Sequence, residues 1–96
     1  MATELDLAAL RGSTPGCTSR VHLNNAGAAL PTSATLDAVV GHLRLEAEMG
    51  GYEAAALRAP ELAACLDTAA RALGAAADEV SLTTSDTSAW TKAFWG

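Results

Sequence analysis

A mainly α-helical chain with one or two short strands is the fold class this sequence predicts. Much of its 50% hydrophobic content is alanine and only 4% of it is aromatic; alanine is the strongest helix former but buries little area. Two stretches, 36–47 and 62–73, repeat apolar residues at helical spacing. Only Val21–Leu23 and Glu79–Thr84 have the composition of strands.

The elements follow in order. Leu5, Leu7 and Leu10 predict a short helical turn over Glu4–Leu10, and the Gly, Ser, Thr and Pro of 12–16 break it. Val21-His22-Leu23 reads as a brief strand, and Asn24-Asn25-Ala26-Gly27 as a turn, because Asn and Gly tolerate positive φ. Pro31-Thr32-Ser33 opens the clearest helix, with Thr32 or Ser33 as N-cap. Leu36, Val39, Val40, Leu43 and Ala47 form one apolar stripe on it, and Asp37, His42, Arg44, Glu46 and Glu48 lie mostly off that stripe. Gly50-Gly51 predicts its stop with a left-handed glycine cap. Tyr52–Ala59 is an alanine-rich stretch open to a short helix. Pro60-Glu61 suits the first turn of the next helix. Leu62, Leu66, Ala69 and Leu73 give that helix its stripe, and Gly74 ends it. A loop over 75–78 leads to the second strand, Glu79–Thr84, and a last helix starts near Thr87 with Ser85 or Asp86 as its cap.

Ninety-six residues make one small domain or part of a larger one. A formal net charge of −5 and a pI near 4.7 leave no basic footprint for nucleic acid. No basic amphipathic face suits a membrane surface, and no apolar run approaches the ~20 residues that span a bilayer. The beginning, Met1–Asp6, is acidic rather than basic and does not read as a secretory signal, which points to the cytoplasm. Cys17 and Cys65 lack metal-site spacing and read as free thiols, so no metal site is expected.

The most informative stretch is Leu82–Trp90. A short strand, a tight polar turn Ser85-Asp86-Thr87-Ser88 and a helix start leave unpaired backbone N–H groups with hydroxyls beside them, a recipe for holding a phosphate. An ordinary N-cap box at such a turn has the same composition without any ligand. His22 and His42 have no spaced partners, and Asp37, Glu46, Glu48 and Glu53 read as a solvated face rather than an acid/base pair. Tyr52, beside Gly51, suits a pocket or a packing role. Trp90, Phe94 and Trp95 hold three of the four aromatics; 90 and 94 share a helical face that wants a partner surface.

Val21-His22-Leu23-Asn24-Asn25-Ala26-Gly27-Ala28-Ala29-Leu30-Pro31 resembles the N-terminal motif of class V aminotransferase-like enzymes. These are fold-type I pyridoxal 5′-phosphate (PLP) proteins that include cysteine desulfurases, kynureninase and isopenicillin N epimerase-like enzymes. Glu46-Ala47-Glu48-Met49-Gly50-Gly51-Tyr52-Glu53-Ala54 resembles the next segment of a branch related to the C–S lyase of ergothioneine biosynthesis. Asp78–Leu82 followed by Ser85–Trp90 resembles the strand and phosphate loop of the same fold. Each motif is moderately specific; their order over residues ~20–96 is the stronger signal.

The resemblance implies an α/β parent, with 1–20 as an N-terminal extension and 21–96 as the N-terminal portion of an incomplete PLP domain. It implies that Thr87 donates its hydroxyl to the cofactor phosphate, that backbone N–H groups around Asp86 and Ser88 join it, and that Asn24, Asn25 and Ala26 lie near the substrate carboxylate. Asp86 contributes through its backbone, since its carboxylate repels a phosphate dianion. The implied reaction is transamination, epimerisation or C–S cleavage of an amino acid, in a parent that is a homodimer. The sole lysine, Lys92, does not match the Schiff-base position, so no catalytic residue is assigned and the chain alone is expected to be inactive. The competing expectation is a small stand-alone helical binding module, or the remnant of a decayed gene.

Overall fold

The structure, a computed structural model, describes residues 4–96. Its helices are α1 (Leu7–Gly12), α2 (Ser33–Met49), α3 (Gly51–Leu73) and α4 (Asp86–Trp95), with 3-10 turns at Pro15–Thr18 and Ala77–Glu79. The chain divides into two units after Ala54.

No strand occurs among the described residues, 68% of which are helical. This corrects the expected α/β fold-type I portion with short strands. Val21–Leu23 has no regular structure, and Glu79 closes a 3-10 turn whose following residue, Val80, is extended at φ −114° and ψ 131°. The physical reason is pairing. A β-branched run makes an extended segment, but it becomes a strand only when a neighbour accepts its N–H and C=O groups. Neither run has such a neighbour, and Val21 and Leu23 stand 86% and 90% exposed.

In the first unit, Asp6 caps α1 by accepting the Ala9 N–H at 2.9 Å, and α1 packs on the Pro15–Thr18 turn. The long loop from 13 to 32 is pinned at several points. Ser33 N–H donates to Ser13 O at 2.8 Å. Leu30 lies directly on Gly16, where an added Cβ would stand 2.9 Å from its Cδ2. Asn24 Oδ1 accepts the Gly27 N–H at 3.2 Å, and Ala28 N–H returns to Asn24 O at 3.1 Å, giving the expected turn. Thr32 is the N-cap of α2 and accepts from the Thr35 N–H. The α2 stripe is as periodic as the sequence suggests, yet Leu36, Val39 and Leu43 are exposed.

Gly50 ends α2 at φ 99° and ψ 152°, with its N–H on Glu46 O. The expected glycine stop is there at positive φ, though its ψ lies outside the αL well, and the expected gap shrinks to this one residue: α3 begins at Gly51, and the Ala54 N–H already bonds Gly50 O at 3.0 Å. Pro60 lies inside α3 rather than at a helix start. Alanine on both sides carries the helix through the lost hydrogen bond.

In the second unit, α3 ends as expected at Gly74, φ 69°. Gly74 N–H reaches Arg71 O and Ala75 N–H reaches Ala70 O at 2.9 Å, a Schellman closure. The buried apolar side chains of the described residues are Ala54 and Ala70. No helix among the described residues is long and apolar enough to cross a membrane.

Candidate functional site

The turn before α4 is built by hydroxyls. Thr83 Oγ1 donates to Ser85 O at 2.9 Å, which fixes the approach, and Ser85 is the N-cap: its Oγ accepts the Ser88 N–H at 3.1 Å. Asp86 is therefore the first helical residue and not the cap. The cap uses the Ser88 donor. The N–H groups of Asp86 and Thr87 are left with no acceptor among the described residues, as expected of a helix's first turn. Thr87 is exposed, and its carbonyl accepts the Thr91 hydroxyl at 2.8 Å. Of the three expected phosphate contacts, Asp86 and Thr87 thus keep free donors, while the Ser88 N–H is already engaged.

A phosphate fits this end of α4 in part. Two N–H groups and a hydroxyl are the right donors, and the helix dipole favours an anion there. The exposed Asp86 carboxylate acts against it. Lys92 lies five residues past Thr87 within the same helix.

Asn24, Asn25 and Ala26 fall in the other unit. They are exposed, and the Asn24 Oδ1 is engaged by the turn. Asn25 lines an open cleft of about 390 Å³ with Arg11, Cys17, Arg20, His22 and Leu30. Sequence reasoning missed this cleft. His22, read as a surface or strand histidine, places Nε2 2.7 Å from Ala28 O, so that nitrogen carries a proton and Nδ1 is left to other partners. A signal was available: no carboxylate occurs between Asp6 and Asp37, in a chain of 11 acidic residues.

Tyr52 is 93% exposed. No three His, Cys, Asp or Glu side chains among the described residues are placed to hold a metal ion. Compared with protein-family models, with curated proteins and with solved structures, the chain matches none.

Proposed function

We propose that these residues are the N-terminal part of a PLP-dependent, aminotransferase class V-like enzyme acting on an amino acid, and that they are inactive alone. The observation that carries it is the pair of free N–H donors at Asp86 and Thr87 beside the Thr87 hydroxyl, in a turn held open by Ser85. The order of the motifs at 21–31, 46–54 and 78–90 supports the same reading. Nothing in it draws on a sheet, which the described residues lack.

When bound, PLP supplies an electron sink for cleavage at the amino acid's α-carbon. Here Asp86 and Thr87 would hold the phosphate end; a substrate role for Asn24, Asn25 and Ala26 is what the resemblance alone implies. Lys92, the only lysine, lies on the helix behind the phosphate and does not carry the cofactor. The free cysteines support a cytoplasmic setting. A homodimeric parent belongs to the same proposal.

The helical architecture favours a second reading, a small binding module that uses the exposed faces of α2 and α4. Pyridoxamine 5′-phosphate separates the two, because it cannot condense with an amine. On the first reading it shifts the amide signals of Asp86 and Thr87 saturably, unphosphorylated pyridoxamine does not, and Thr87→Val weakens binding by about threefold to tenfold, the size of one net hydrogen bond. Equal responses to the two compounds, or turnover of an amino acid by the purified 96 residues with PLP, would overturn it.

A further inference from the structure

We propose that the cleft between α1 and the 24–27 turn is an anion site, taking a small molecule through a phosphate or carboxylate group. It is separate from the α4 turn and does not depend on the cofactor reading. Arg11 and Arg20 line it, and His22 and Asn25 add polar edges, over a floor that includes half-buried Cys17 and Leu30. Among the described residues, no carboxylate lines it.

Charge segregation argues that this is more than a crease. Residues 4–54 hold six carboxylates (Glu4, Asp6, Asp37, Glu46, Glu48, Glu53) and three arginines, and two of those arginines face the cleft while none of the carboxylates does. Neither Arg11 nor Arg20 is in an ion pair among the described residues, whereas Arg58 and His42 are paired with Glu61 and Glu46. Two unneutralised guanidinium groups beside one concavity create a positive potential on an otherwise acidic chain, and their planar donors match oxyanions. The cleft volume of about 390 Å³ suits a small metabolite. The backbone beneath is fixed by the Ser33–Ser13 bond, the Leu30–Gly16 contact and the His22–Ala28 bond, so the groups are held together without the ligand.

Cys17 reports on occupancy and Cys65, exposed on α3, is its internal reference. The full chain is alkylated with iodoacetamide in sodium phosphate, sodium acetate or sodium chloride at equal ionic strength, and both cysteines are followed by mass spectrometry. Phosphate or acetate should slow Cys17 at least threefold against Cys65, and chloride should not. The Arg11→Gln/Arg20→Gln chain should lose that protection, while Arg44→Gln, outside the cleft, should keep it. In the unsubstituted chain, iodoacetate should gain on iodoacetamide at Cys17 by about threefold relative to Cys65, a readout that needs no variant. The site is refuted if neither oxyanion protects Cys17 beyond chloride, if protection survives the double substitution, or if iodoacetate shows no preference for Cys17.

Discussion

Ser85 decides where α4 starts and which donors it leaves free. Its hydroxyl accepts the Ser88 N–H at 3.1 Å, and its own carbonyl is held by Thr83. Removing that hydroxyl in Ser85→Ala should cost about 1 kcal/mol of local helix stability. Faster amide exchange over residues 86–90 than over α2 is the expected reading, and unchanged exchange would show that the cap is not what holds the turn. Gly50 is the other decisive residue. Its φ of 99° suits glycine, and a Cβ there would also meet Glu53 Oε2 at 2.6 Å. The sequence ranks Gly50 correctly as the end of α2, because glycine after a periodic run is a strong stop. It cannot rank the ψ of 152°, which sends the chain straight into the next helix instead of into a loop.

At the scale of elements, α2 and the end of α3 were legible. Thr32, the stripe from Leu36 to Ala47, and Gly74 each act through the few residues beside them, so local chemistry suffices. The start of α3 was not legible, because Gly50-Gly51 and Pro60 both read as boundaries, yet the alanines of 54–59 continue the helix through Pro60. Arg58 and Glu61 straddle the proline with a 2.6 Å ion pair between exposed side chains, a small support. Pro60→Ala restores an N–H for the helical ladder and should stabilise α3 by as much as ~3 kcal/mol, the interior cost of proline. Circular dichroism should show more helix that melts later; less helix would mean that the proline matches a required bend. The strands failed for the opposite reason to α2: pairing is non-local, and Val21–Leu23 and Glu79–Thr84 carry no information about a partner. The α4 turn was found by its hydroxyl chemistry, whereas the cleft gathers residues from α1, the 3-10 turn and the following loop, which periodicity does not connect.

For the whole molecule, the apolar side chains matter most. Trp90 and Phe94 stack at 6.0 Å between ring centroids, Phe94 meets Trp95 edge-on at 5.1 Å, and all three remain exposed, at 69%, 64% and 80%. Two buried alanines provide little burial to oppose the chain entropy of folding. The purified 96 residues should therefore melt broadly, without a sharp transition, and associate as concentration rises. Phe94→Glu should reduce that association, measured by sedimentation, while leaving helix content nearly unchanged. A sharp, concentration-independent melt of a monomer would refute this and strengthen the reading of a stand-alone helical module.

The stretch without carboxylates between Asp6 and Asp37 also has an analytical consequence. A protease that cuts only after acidic residues releases residues 7–37 as one peptide, and every residue lining the cleft lies within it. At low pH, where the carboxylates are protonated, that peptide carries Arg11, Arg20, His22 and its new amino terminus, more positive charge than any other fragment of the digest, so cation exchange retains it longest. Any ligand photochemically fixed in the cleft would leave the column on that single peptide, and its added mass would give the ligand's own.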